Sequence, residues 1–216
     1  MSYRILGRLA GVVGVLAITA GLAGCMDVNA EIEVLSATAG KATTSMTIGA
    51  DFYPMIKQMS EAGGDTKSEP FCAKDGEELT ENADGSATCV TVKEGDLATL
   101  TEGDDGSPSD DASFTEVSPG VIKVVFKTSD MKDQVAEGAG GGTEADAAES
   151  AQAMAMIKPY FEGHKISLTI KGKKITETNM TASGDGTSAT TEIPFNDLLD
   201  GKATVPDELY AVVDTN

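Results

Sequence analysis

The sequence predicts an α+β fold, with a mainly antiparallel sheet and helices packed on one face. Two observations predict it. Residues 28–35 and 165–170 alternate apolar and polar side chains with the two-residue period of half-buried strands. Segments after Asp51 and Thr143 instead carry apolar residues at helical spacing, and clusters of Gly, Asp and Pro cut the chain into short elements. No internal repeat of recognisable period is present.

In 28–35, Val28, Ala30, Ile32 and Val34 fall on one face, and Asn29, Glu31 and Glu33 on the other. Ala39-Gly40-Lys41 reads as a turn, returning 43–48 as a second strand paired with the first. Asp51 caps a helix in which Phe52, Met55, Ile56 and Met59 recur at i, i+3, i+4 and i+7. Pro54 sits in the first turn, where its missing N–H is tolerated, and Gly63 ends the helix. Met55 and Met59 are read as core packing. Residues 87–93 form a short strand carrying Cys89, and 96–100 a short helix.

Residues 101–113 hold Glu102, Asp104, Asp105, Asp110 and Asp111 among Gly, Ser and Pro, the composition of a flexible, solvated loop. Segments 114–117 and 121–126, separated by Pro119-Gly120, form either a strand pair or one long interrupted strand. Ser129 and Asp130 cap a single turn reaching Val135. The Gly-rich stretch 136–143 is the clearest flexible segment, either a divider between subdomains or a long surface loop. Thr143 and Asp146 approximate a capping box, and Glu144, Asp146 and Glu149 suit the positive end of a helix. That helix runs through Ala147, Ala151, Met154 and Ala155 and stops near Lys158-Pro159.

Residues 165–170 set Ile166, Leu168 and Ile170 against polar neighbours, Gly172-Lys173 turns, and 174–182 returns as a hairpin. Gly184-Asp185-Gly186 turns into a third antiparallel strand at 188–193. A short helix at 195–199 ends at Gly201, and 209–213 is a closing strand.

Acids outnumber bases 35 to 16, and the net charge is −19. That balance argues against nucleic acid and against adhesion to anionic lipid surfaces, and favours cations or basic proteins as partners. Tryptophan is absent, so Val, Ile, Leu, Met and Ala must build the core.

The first 24 residues have the three parts of an export signal. Arg4 and Arg8 are the positive region, 9–23 is uncharged and apolar, and Gly24 puts a small residue before Cys25. The apolar run is short of the roughly 20 residues that span a bilayer. Leu22-Ala23-Gly24-Cys25 resembles the lipobox of bacterial lipoprotein precursors. The resemblance implies that 1–24 are removed and that Cys25 carries a diacylglyceryl group and, at its new N-terminus, a further acyl chain. Multiple chains, at about 0.8 kcal/mol per buried methylene, make such an anchor long-lived. In lipoproteins of two-membraned bacteria, an aspartate directly after that cysteine tends to retain the protein at the inner membrane. Met26 stands there, so the likeness implies the outer membrane, facing the periplasm. Residues 25–216 are expected to form one extracytoplasmic domain.

Cys72 and Cys89 remain as an even pair in an oxidising setting, which predicts a disulfide. Asn82-Ala83-Asp84-Gly85 supplies turn chemistry to fold the intervening segment back, and the bridge would contribute about 3 kcal/mol. A metal or redox pair fits less well, since the two are not in a CxxC arrangement and no histidine is near in sequence.

Candidate chemistry is sparse. His164 is the single histidine, expected to be exposed at the mouth of the predicted hairpin and incidental. No G-x-S-x-G occurs, and a Ser–Lys pair has no spacing by which to find it. The chain is therefore expected not to be an enzyme, and no cofactor is implied. Asp104, Asp105, Asp110 and Asp111 are a weak Ca²⁺ candidate without the ligand register of an EF-hand; a solvated acidic loop is the simpler reading. Lys165, Lys171, Lys173 and Lys174 form a basic patch on the predicted hairpin, suited to an anionic partner or to guarding an exposed edge.

The layout resembles that of LppM-type bacterial lipoproteins, in which a lipobox is followed at once by an alternating strand pair, here 27–48, and by an α+β periplasmic domain. The resemblance implies an envelope lipoprotein without established catalysis. Taken together, the expected function is a membrane-anchored envelope lipoprotein with a non-catalytic binding or structural role toward an envelope protein or a hydrophobic ligand. The alternatives are an envelope hydrolase with an unrecognised site and an acidic cation-binding surface protein. A concave apolar cavity favours the first reading, converging polar groups in a cleft the second, and clustered carboxylates the third.

Overall fold

The computed structural model describes residues 26–61, 71–101, 112–129 and 158–216. The leader, Cys25, Gly63, the acidic residues 102–111, the turn predicted from Asp130 to Val135, the Gly-rich stretch 136–143 and the predicted helix beyond it lie outside these residues.

Strands dominate. Strands β1 (Met26–Val34) and β2 (Ala39–Ile48) are followed by helix α1 (Tyr53–Glu61), strands β3 (Glu77–Glu81) and β4 (Ala87–Asp96), and helix α2 (Leu97–Leu100). Strands β5 (Ala112–Ser118) and β6 (Val121–Lys127) come next, then a 3-10 turn at Lys158–Phe161. Strands β7 (Lys165–Gly172), β8 (Lys174–Thr178), β9 (Thr181–Ala182) and β10 (Ser188–Pro194) precede helix α3 (Phe195–Leu199) and strand β11 (Glu208–Asp214). They form a seven-stranded sheet, β3-β4-β2-β1-β7-β10-β9, and a four-stranded sheet, β5-β6-β11-β8. Among the described residues all pairings are antiparallel but one: β1 and β7 run parallel, with Val28 opposite Ile166 and Ile32 opposite Ile170.

The alternation read in β1 is the alternation observed. Met26, Val28, Ala30, Ile32 and Val34 are buried and the residues between them are not. Their lateral neighbours continue the apolar face through Ile166, Leu168 and Ile170 of β7 and Ala189 and Ile193 of β10. Ile122, Val124 and Phe126 of β6 and Leu209, Ala211 and Val213 of β11 join them in one core. The other face of the large sheet is hydroxyl-rich: Thr47 meets Thr88 at 3.0 Å and Thr169 meets Thr190 at 3.1 Å.

Several expectations need correction. Among the described residues the helices are few, short and not clearly packed on one face; α1, α2 and α3 feed Ile56, Leu97 and Phe195 into the core, whose main partner layers are the two sheets. The first turn is 35–38, not 39–41: Ser36 Oγ accepts from Thr38 N and Ala39 N, and Gly40 is already inside β2. A Cβ on Gly40 would lie 2.7 Å from Leu97 Cδ2, so the position lets α2 close against the sheet. Met55 is 45% exposed, because the buried line of α1 runs through Tyr53 and Ile56; the side chain of Met59 lies outside the described residues. Segments 114–117 and 121–126 are a strand pair, β5 and β6, with an irregularity between Glu116 and Ser118.

The largest departure is at 165–182. β7 and β8 do not pair, because both edges of β7 are taken by β1 and β10. The chain leaves the large sheet after Gly172, pairs β8 with β11 in the small sheet, and returns as β9 on the far edge of the large one. Two turns share one chemistry that the sequence displays. Asp84 Oδ1 accepts from Ser86 N at 3.0 Å and Asp185 Oδ1 from Thr187 N at 3.1 Å, and the glycine between each pair has positive φ.

Candidate functional site

Among the described residues is an open cleft of about 400 Å³. It opens where the small sheet's edge strand β5 meets the β1–β2 turn and α2. Its walls are Ala37, Leu97, Ala98, Ala112, Phe114 and Ile122, with Thr101, Ser113, Glu116 and Lys127 also contributing. The volume lies within the range of small-molecule sites, and the lining mixes apolar side chains with four polar or charged ones. The local sequence explains it. Ala112, Phe114 and Glu116 alternate on the inward face of β5, while α2 is too short to cover more than Leu97 and Leu100 need. Glu116 is committed to the turn, its Oε1 accepting from Gly120 N at 3.1 Å. Among the described residues the cleft lining holds no histidine, cysteine or pair of carboxylates.

Cys72 and Cys89 are joined as a disulfide, with Cα atoms 5.5 Å apart. The bridge ties the segment before β3 to the inward face of β4, and Phe71 beside it packs edge-on to Tyr53 at 6.4 Å. Tyr53 Oη and Lys57 Nζ both reach Glu81 Oε1 at 2.7 Å, fastening α1 to the end of β3. The bond from Lys57, with that from Tyr53, holds the Glu81 carboxyl below its usual range.

His164 is not the exposed residue expected. Its side chain is 24% exposed, and Nδ1 lies 3.2 Å from Asp27 Oδ2. Nδ1 is buried and makes no hydrogen bond, so the contact is an ion pair only when the imidazole is protonated. Asp27 Oδ1 accepts from Lys165 N at 3.0 Å, joining the starts of the parallel strands β1 and β7. An Asp–His pair is half of a nucleophile-activating array. Among the described residues, no hydroxyl or thiol hydrogen-bonds to His164.

The predicted basic patch is not assembled. Lys171 pairs with Glu31 and Lys165 with Glu192, each across a strand pairing at opposite ends of β7, and Lys173 and Lys174 lie near Asp214. Nor do Lys165 and Lys171 guard an edge, since β7 is interior to its sheet. Cys25 and the Ca²⁺ candidates Asp104, Asp105, Asp110 and Asp111 lie outside the described residues. Sequence reading missed the cleft because its walls come from three separate elements. The Asp27–Lys165 contact spans 138 positions and leaves no local signal.

No protein-family model matches the chain, and no curated protein matches it. Among solved structures it is similar to the NMR structure of the folded domain of Mycobacterium tuberculosis LppM. The TM-score is 0.42 at 8% identity, over 100% of this chain and 96% of that one. A TM-score that low does not establish a shared fold.

Proposed function

We propose that this chain is a lipid-anchored bacterial envelope protein whose folded domain has a non-catalytic binding role toward a hydrophobic ligand. The observation that carries the binding role is the cleft between β5, the β1–β2 turn and α2, apolar along Leu97, Ala112, Phe114 and Ile122. The anchor rests on Leu22-Ala23-Gly24-Cys25 and the basic, then apolar, residues before it. By that reading Cys25 is acylated, Met26 after it directs the protein to the outer membrane of a two-membraned cell, and β1 begins immediately at Met26.

Two measurements test the proposal separately. Mass spectrometry of the mature N-terminus is expected to find acylated Cys25; a free thiol, or cleavage elsewhere, overturns the anchor. Titration of the mature chain with 8-anilinonaphthalene-1-sulfonate is expected to show saturable fluorescence that Ala98→Trp abolishes with an unchanged far-UV spectrum. Binding that is absent, or equal in that variant, overturns the cleft as the ligand site.

A further inference from the structure

The disulfide corner contains a third group that the covalent bond does not use. Glu77 is on the same face of β3 as Leu79, which stands opposite Cys89. Its carboxylate and the sulfurs of Cys72 and Cys89 lie within 4.8 Å of one another. Two bends bring Cys72 and Glu77 round to β4, at Cys72 itself (φ 62) and at Gly76 (φ 87). Glu77 is held in place: its Oε2 accepts from Lys74 N at 3.0 Å and its own N–H donates to Lys74 O at 3.1 Å. One hydrogen bond leaves most of a carboxylate's acceptor capacity unused.

We propose that reduction of the Cys72–Cys89 disulfide converts this corner into a zinc site. Its ligands are the two thiolates and the Glu77 carboxylate, with water in the fourth position. The chemistry balances with a dithiol reductant of the envelope. The S–S bond takes up two electrons and two protons, the reductant leaves as its own disulfide, and each thiol proton is released when the metal binds. Two thiolates and a carboxylate this close repel one another. A divalent cation removes that repulsion, so the metal favours deprotonation where the bare corner opposes it. Zn–S bonds of about 2.3 Å in a tetrahedron put the sulfurs about 3.8 Å apart. With Cα atoms 5.5 Å apart, side-chain rotation reaches that separation. The Lys74 N–H bond is the kind of second contact that orients a ligating carboxylate. Cys89 is buried and Cys72 and Glu77 are partly exposed, so the site has a protected side and an open one. The loop that the disulfide closes then stays closed in either oxidation state.

The test uses the mature chain purified from envelopes in detergent, reduced with a phosphine, freed of reductant and titrated anaerobically with Co²⁺ alone. The expected result is one equivalent bound, with a thiolate-to-cobalt band in the near ultraviolet and the intense visible bands of tetrahedral Co²⁺, all displaced by Zn²⁺. The oxidised protein and the Cys72→Ser/Cys89→Ser variant should show none of these. Glu77→Gln should weaken binding tenfold or more and shift the visible bands. Reduced protein without the bands, bands that persist in the double serine variant, or a Glu77→Gln variant that binds unchanged would each overturn the proposal. Far-UV spectra before and after metal addition tell a folded site from a loose chelate. Bands without recovered or retained sheet also count against it.

Discussion

Gly172 stands directly against Val213: a Cβ built on the glycine would lie 2.2 Å from Val213 Cγ1 and 3.4 Å from Val34 O. The contact sits where the chain leaves the large sheet at the end of β7 and enters the small one, so it sets how closely the two sheets meet. Gly172→Ala is expected to cost about 1–3 kcal/mol by overpacking, read as a lower urea midpoint. Adding Val213→Ala should recover part of that loss, since the two side chains share one space. Strictly additive effects would show that the close approach is not what Gly172 supplies.

Removing the covalent tie is expected to be costlier. Cys72 and Cys89 are 17 positions apart in sequence. For a loop of that size, the Cys72→Ala/Cys89→Ala variant should lose about 3 kcal/mol in the chain-entropy picture. Urea unfolding of the wild type with and without reductant checks the same quantity. An unchanged midpoint in both comparisons would mean that the loop is held without the bridge.

The acid limb of stability should carry the mark of two turns. Bonds from the Ser183 hydroxyl, then from the Thr187 N–H and hydroxyl, hold Asp185 at about 2, below its ordinary 3.8. The Lys158 and Lys202 ammonium groups do the same for Asp200, also to about 2. A carboxyl whose folded value is depressed contributes stability above its unfolded value, and that contribution disappears as pH falls through the folded one. Urea midpoints should therefore fall between roughly pH 4 and pH 2, and Asp185→Asn should flatten the fall. Asp185 is exposed and the Asp200 side chain, 23% exposed, still reaches solvent, so the effect is small and salt-sensitive. A slope identical in wild type and variant would rule Asp185 out as a contributor.

The ion pairs of β7 should matter little. Lys171 with Glu31 and Lys165 with Glu192 are cross-strand pairs with substantially exposed side chains. Lys171→Gln is expected to cost less than about 1 kcal/mol, and less still at high salt. A larger loss, insensitive to salt, would mean that the side chain supports the sheet by packing.

Ala98→Trp should behave differently from all of these. Ala98 is exposed and lines the cleft mouth, so a bulky side chain there fills the cavity without entering the core. Unfolding should be within about 0.5 kcal/mol of wild type, while dye binding is lost. If binding and stability fell together, the variant would have reached the core and the cleft assignment would fail.

Much of the local structure could be read directly from residue order. The alternation in β1 and β7, the short helices α2 and α3, the Asp-Gly turns and the pairing of Cys72 with Cys89 all appear in the structure. Each depends on neighbours within a few positions or, for the cysteines, on there being two thiols left in an oxidising setting. The cleft was not legible, because Ala37, Leu97 and Phe114 have no common pattern until three elements meet. The paired lysines were misread as a patch for the same reason: Glu31 and Glu192 come from strands on either side of β7.

What the sequence determined by itself, then, is the period of each strand, the chemistry of each turn and the apolar faces that need burial. Only the tertiary structure decided which strand lies beside which. A β-strand's hydrogen bonds are satisfied by any edge of matching register, so 165–172 and 174–178 look like a hairpin to any local reading. The parallel partner β1 and the antiparallel partner β10 occupy both edges of β7. The shared core, with Gly172 tight against Val213, then leaves β8 only the second sheet.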